Sequence, residues 1–559
     1  MVNHSIFKMM VGLLLLVPVL SEAHLITITA TRPFAATAAV SSTATAVFTV
    51  TNITSQTNVT VVDQSNFPSG LSVTSSTCGS VLRPKQSCVM NLSLTASSSD
   101  QQISTALRLW AQPALDVVEY PINVTVTTAV PLITLTQLPT AGSALPKLFD
   151  PIVAEHDNKW LILSGSTHTM HHFDNTSFNQ NIYVYDPSSP STIASVSISS
   201  LHSEVIAQLT SPAPEYLQDG DTLYIIGGYY NTPSTNDFTT LQTITAIDIP
   251  GMMNAILTSA PITPFVHFNT SVTDFKVTGG QLGKIGDDFY LAYGMDCEGA
   301  YVGFCQIRQK YTNAIYQFST EPTVSSPTII QKIERLDANS GWRRRDYTLA
   351  PFMVGSTETL LALGGPFTES VAVWTNDVLI AADIQYTNYA HIQQANQYSA
   401  SHMTMYSEKN QMSYLATFGG ITTLYWGTTG LVSDPVNIPF GNILDLVSSD
   451  GAANMQEYAN LTPMCGGETL QNCLYVGVGA HFIPVDNPGY YDDRYILQID
   501  ALPQNTPTLV GYMYGGMIAT VQNPFDDETL ASVTNQVYEV YVTPSGSGTN
   551  AWVNITGLY

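Results

Sequence analysis

The sequence predicts an all-β protein in two parts: a two-sheet sandwich, then a ring of repeated sheets built six or seven times. Three observations carry this. Residues 24–128 are rich in Thr, Ser and Val and alternate with period two, the signature of half-buried strands. From about residue 130 a unit of strand, glycine, loop and second strand recurs to the end of the 559-residue chain. Six cysteines fall as three local pairs, Cys78/Cys88, Cys297/Cys305 and Cys465/Cys473, separated by 10, 8 and 8 residues.

The leading segment sets the expected compartment. Lys8 precedes the ten-residue apolar run Val11 to Leu20, and Ser21-Glu22-Ala23 fits a small-x-small cleavage pattern. This reads as a secretory signal peptide over residues 1–23, too short to span a bilayer. The chain is expected to be exported, periplasmic or extracellular, and not an integral membrane protein. In an oxidising compartment the closely spaced cysteines read as three loop-closing disulfides.

Within residues 24–128, Ala46–Val50, Val59–Val62 and Ile122–Val126 alternate, with Pro68-Ser69-Gly70 and Pro84-Lys85 as turns. Short strands with one disulfide in about 100 residues predict a sandwich of immunoglobulin type. The stretch Cys78 to Leu94, CGSVLRPKQSCVMNLSL, resembles the Ig-like modules of secreted bacterial proteins.

The repeat occupies residues 129–559. Its copies pair Trp160–Gly165 with Ile182–Asp186, Leu223–Gly228 with Ile244–Asp248, Phe289–Gly294 with Ala314–Phe318, and Leu361–Gly365 with Val378–Asp383. Tyr414–Gly420 opens a fifth copy without a clear Asp, and Leu474–Gly479 with Tyr495–Asp500 is read as a sixth. Tyr514-Gly515-Gly516 with Val537–Val540 is either a seventh or the pair that closes the ring. Continuous apolar strands are buried on both faces, as in propeller blades, and glycine permits the positive φ of a tight exit near a crowded axis. The pattern resembles the kelch family of β-propellers, although most copies lack the Trp that usually ends a blade. The run Arg343–Pro351 with Leu363–Thr368 is similar to uncharacterised secreted kelch-like bacterial proteins, a likeness that implies no activity.

Composition excludes some functions. With 18 Lys and Arg against 43 Asp and Glu, the formal net charge is −25. Nucleic acid and anionic membrane surfaces need clustered cations, so neither is an expected partner. Hydrophobic residues at 44% and aromatics at 10% supply enough apolar surface for a large core.

The candidate site residues are few. Seven of the 18 basic residues lie between Arg308 and Arg345, and Arg343, Arg344 and Arg345 are weak candidates for carboxylate or acidic-sugar recognition. In a strand, neighbours point to opposite faces, so at most two share a ligand; the competing reading is arginines bridging blades. His168, His171 and His172 share one loop and are weak copper or zinc candidates, against a polar surface loop. The acidic segments Asp486–Asp493 and Asp526-Asp527-Glu528 offer oxygen ligands for calcium but lack the alternating spacing of a calcium loop. His24, at the expected new N-terminus, is considered for a copper brace on position alone. The repeated boxes of sialidases are absent, as are the usual hydrolase, zinc-protease and nucleotide-loop motifs. Eight N-x-S/T sites, Asn58 and Asn123 among them, are glycan acceptors in a eukaryotic host.

Two functions compete. The favoured one is an exported, non-catalytic binding protein presenting a carbohydrate- or protein-binding surface on propeller loops, with no cofactor predicted. The alternative is a carbohydrate-active or copper-dependent oxidoreductase resembling galactose oxidase, which joins a kelch propeller to Ig-like modules. That resemblance implies a site of two Tyr, two His and a free Cys.

Overall fold

The computed structural model describes residues 24–32, 37–39, 43–95, 101–113, 116–127, 130–138, 144–170, 172–173, 176–232, 237–336, 341–366, 368, 373–450, 455–524, 529–544 and 551–558. It is all-β in class, with two short helices, Ser203–Leu209 and Ile249–Thr258. The chain divides into two units between residues 129 and 130.

The first unit has two sheets. One orders the strands Ile26–Arg32, Thr43–Asn52, Ser87–Thr95 and Leu71–Ser76. The other orders Thr37–Ala39, Asp116–Thr127, Gln101–Gln112, Val59–Asp63 and Val81–Leu82. One core takes alternate residues from both, including Phe48, Val50 and Leu92 from the first and Val61, Leu107 and Ile122 from the second. Period two produces this, since every second side chain points inward. Cys78 and Cys88 are joined, and Lys85 turns the chain between strands at φ 64°.

Among the sheets of the second unit, six recur along the chain on a core of four antiparallel strands, the fifth widened to six strands by Trp552–Asn554 and the parallel strand Ile496–Gln498. Their first strands are Ile152–His156, Glu215–Asp219, Gln281–Ile285, Thr348–Val354, Ser401–Ser407 and His481–Pro484. Their second strands are Lys159–Leu163, Thr222–Ile226, Asp288–Ala292, Thr357–Leu363, Met412–Phe418 and Thr508–Tyr514. The sixth sheet takes its outermost strand, Leu132–Gln137, from the start of the unit, paired with Val537–Thr543 near its end. The second strands are apolar on both faces because each sheet is covered on both sides. Leu223 and Ile225 pack toward the first sheet, while Tyr224 and Ile226 pack toward the third. The same division repeats between the third and fourth, fourth and fifth, and fifth and sixth sheets. A further cluster packs Trp160, Ile162 and Tyr185 of the first sheet on Ile483, Tyr514 and Val537 of the sixth.

All six second strands end in two successive residues of positive φ: Ser164-Gly165, Gly227-Gly228, Tyr293-Gly294, Gly364-Gly365, Gly419-Gly420 and Gly515-Gly516. Gly419 shows why glycine dominates here, since a Cβ on it would lie 2.1 Å from the carbonyl oxygen of Val476. Carbonyls freed at these exits are met by buried polar side chains. Asn179 donates to Ser164 O at 3.1 Å, Gln208 to Gly227 O at 3.2 Å and Gln397 to Gly419 O at 2.5 Å.

Two expectations are corrected. Leu474–Gly479 does not open a sixth copy: Tyr475–Val478 pairs with Met517–Ala519 in a small separate sheet, and Ile496–Gln498 lies parallel to Ser401–Ser407. An apolar strand followed by glycine occurs there without the sheet, because the segment between Pro484 and Thr508 is inserted between the sixth sheet's first two strands. The pair at Tyr514 and Val537 supplies that sheet instead. The fifth copy does end its third strand in Asp, at Asp450 of Leu444–Asp450. The hairpin Leu424–Gly427/Gly430–Ser433 displaces it from the expected spacing.

Candidate functional site: a cavity among the first strands

The first strands of all six sheets line one cavity of about 660 Å³. One end is set by a repeated backbone device. Just before each first strand lies a residue of positive φ: Asp150 (54°), Ala213 (48°), Gly279 (69°), Asp346 (51°), Ser399 (47°) and Gly479 (63°). Their peptides hydrogen bond in succession: Asp150 N to Gly479 O, Gly479 N to Ser399 O, Ser399 N to Asp346 O, Asp346 N to Gly279 O, and Gly279 N to Ala213 O, at 2.7–3.1 Å. Toward the opposite end of their first strands, the first and second sheets are joined where Gln218 accepts from Glu155 N at 2.8 Å and donates to Glu155 O at 2.7 Å. In this succession Asp150 and Asp346 stand three places apart.

Behind these residues, Tyr216 Oη lies 2.6 Å from His481 Nδ1, and His402 lines the cavity from the fifth sheet. The imidazoles are surrounded by protein rather than bulk water. Burial holds His402 down to about 4, and burial together with His402 holds His481 down to about 3, so both are neutral near pH 7. Asp150 is open to the cavity but deep within the unit, and burial plus the charge of Asp346 push its carboxyl up to about 7. Glu215, 2% exposed, accepts from Gly280 N at 2.7 Å. Burial first, and Asp346 in addition, raise it to about 8.

The other end is crossed by the inserted segment after Pro484. Tyr491, Asp493, Arg494 and Tyr495 line the cavity there, near Glu155, Asp219 and Lys284. Lys284 Nζ reaches both oxygens of Asp219 at 2.7 Å. Arg494 Nε donates to Asp492 at 3.0 Å, and Asp492 also accepts from Arg494 N, Ile496 N and Gln498 Nε2. The segment weighed for calcium therefore folds around Arg494, with Asp492 engaged by it.

None of the predicted arginines lines the cavity. Arg344 is fully buried and donates to Gly341 O at 2.6 Å, Asn376 O at 3.0 Å and Ala362 O at 3.4 Å. Its guanidinium is thus engaged by backbone carbonyls inside the unit. Arg343 lies over the Tyr311 ring at 4.1 Å. Arg345, 8% exposed, donates to Tyr301 Oη at 2.6 Å, and its Nε lies 3.7 Å from Asp346. His168 and His172 stand with ring centres 5.5 Å apart; His171 and the segment Asp526-Asp527-Glu528 lie outside the described residues. Among the described residues no group of three His, Cys, Asp or Glu is placed to hold a metal ion. His24 Nδ1 pairs with Asp116 at 2.9 Å. The second and third cysteine pairs, Cys297–Cys305 and Cys465–Cys473, are also disulfides. Among the described residues no helix is long and apolar enough to cross a membrane.

Sequence reasoning missed Asp150, Tyr216, His402 and His481. Each comes from a different sheet, and the available signal was their place at the start of the first strand, one step before the repeat's conspicuous glycines.

No family model and no curated protein matches the chain. Among solved structures, YjhT is similar over 62% of this chain and 92% of its own, at 10% identity and a TM-score of 0.33. A Lactobacillus plantarum protein matches 64% of this chain and 78% of its own, at 9% identity and a TM-score of 0.25. A DUF4784 family protein from Bacteroides caccae matches 77% of this chain and 92% of its own, at 10% identity and a TM-score of 0.21. These likenesses assign neither a family nor an activity.

Proposed function

We propose that this is an exported binding protein whose second unit is a six-bladed propeller of kelch type, and that it takes a small-molecule ligand in the axial cavity without catalysing a reaction. The observation that carries the reading is the cavity itself, walled by all six first strands and of a size usual for small-ligand sites. The six sheets, the cluster joining sixth to first, and the succession of peptides from Asp150 to Ala213 support the ring. Two sheets over one core with Cys78–Cys88 support an Ig-like first unit. Three disulfides favour an oxidising compartment. The proposal moves the ligand from loop surfaces to the axis, where polar groups converge.

The oxidoreductase reading draws on one observation, that Tyr216, His402 and His481 share the cavity. Against it, all six cysteines are in disulfides, so no thiol is left for a bond to tyrosine. Stoichiometric copper uptake with peroxide release on sugars would favour it over binding.

The test of the binding reading is a small-molecule panel read by thermal shift on wild type, His402→Trp, which adds bulk on the cavity wall, and Phe304→Ser on an exposed loop. Shifts lost in H402W and kept in F304S support the axial site. Shifts kept in H402W place the ligand elsewhere and overturn it.

A further inference from the structure

The charge of the cavity names a ligand class, an inference that rests on the axial-site reading. Among the described residues seven carboxylates line the cavity, against two lysine or arginine side chains, Lys284 and Arg494. Both cations are engaged already, Lys284 by Asp219 and Arg494 by Asp492. Asp150 forms no ion pair with a basic side chain among the described residues, and the charged neighbour it feels is another carboxylate, Asp346. The two imidazoles add no positive charge near pH 7.

Two further features of the wall accompany this charge. The hydroxyls of Ser401 and Thr404, 4% and 3% exposed, belong to residues lining the cavity and have no hydrogen-bond partner among the described residues. Buried polar atoms are ordinarily partnered. The walls are also aromatic, with Tyr216, Tyr347, Phe482, Tyr491 and Tyr495. Carboxylates among aromatic rings are the combination that holds an organic ammonium, through charge on one side and ring faces on the other. Asp219 is paired with Lys284 and Asp346 lies near Arg345, yet carboxylates still outnumber cations on the wall, so an anion would meet them head on.

We propose that the axial cavity binds a small organic cation, an ammonium whose charge is met by Asp150 and Asp346 at one end and whose apolar part lies against the tyrosines. The volume of about 660 Å³, set among the first strands of six sheets, commits the proposal to a free small molecule rather than a lysine on a protein surface.

The test is calorimetric titration of choline and putrescine, with glucose as the neutral probe and glucuronate as the anionic one. Wild type, Asp150→Asn, Asp346→Asn and H402W are compared, and an acetylated, amidated lysine peptide is a further arm. Expected are binding of a cationic probe, a loss of at least about tenfold in each Asn variant, corresponding to about 1.4 kcal/mol, and no binding to H402W or of the peptide. Because D150N and D346N are near-isosteric, circular dichroism is expected to match wild type. Glucose or glucuronate binding that H402W abolishes would overturn the cation and leave the axial site standing. Cation binding that survives H402W, peptide binding in preference to the free amines, or no binding of any probe would overturn the proposal.

Discussion

Gly419→Ala tests how closely neighbouring sheets approach in the second unit. Gly419 has φ +64°, and a Cβ there would sit 2.1 Å from Val476 O and 3.1 Å from its carbonyl carbon. Both are backbone atoms of the strand Tyr475–Val478, so no side chain can swing away. Gly286 is the control, with φ +57° and nothing within 4 Å of the added atom. Each substitution costs about 1–2 kcal/mol for a left-handed L-residue. Gly419→Ala adds a steric penalty of about 1–3 kcal/mol, the usual range for overpacking, for about 2–5 kcal/mol in all. Urea unfolding followed by tryptophan fluorescence reads the difference, with the slope expected to stay constant. Equal midpoints for the two variants would refute the reasoning, since backbone conformation would then be the whole cost.

Two further outcomes follow from buried polar groups. Arg344→Met should cost about 2–4 kcal/mol, because it orphans buried carbonyls at about 1–3 kcal/mol each, partly offset by no longer burying a guanidinium. Arg343→Ala, which loses a contact with the Tyr311 ring, should cost about 1 kcal/mol or less, and denaturation midpoints check the order. Stability should also carry two opposed pH dependences. The raised carboxyl of Glu215, at about 8, keeps its proton when folded while the unfolded chain loses it, so stability drops as pH rises from about 4.5 through 8. Glu215→Gln should flatten that limb. The lowered imidazoles of His402 and His481, at about 4 and 3, stay neutral when folded while the unfolded chain takes up protons. Stability is therefore lost as pH falls from about 6.5, and His402→Gln should reduce that slope in melting temperatures measured from pH 4 to 9.

Much of the architecture is legible in the chain because it repeats. The apolar strands Leu223–Ile226 and Leu361–Leu363 need cover on both faces, and glycine or its substitutes must follow where the neighbouring backbone comes close. The same logic misled at Leu474–Gly479, where strand and glycine serve a small sheet, and at the fifth copy, where an inserted hairpin hid Asp450. The cysteine pairs were readable from spacing alone. The cavity was not, because its chemistry is assembled from single residues of separate sheets. Asp150, Tyr216, His402 and His481 share no motif, and only the packing of separate sheets brings them to one cavity. Arg344 drew notice as charge, yet its place is set by backbone carbonyls that no sequence pattern announces.

The central claim, that ligand enters the axial cavity, is tested most directly by a crystal structure of the protein with the panel compound that gives the largest thermal shift. The account predicts ligand density between Asp150, Asp346, Tyr216 and His481. Density confined to the outer loops, with the cavity holding only water, would contradict it.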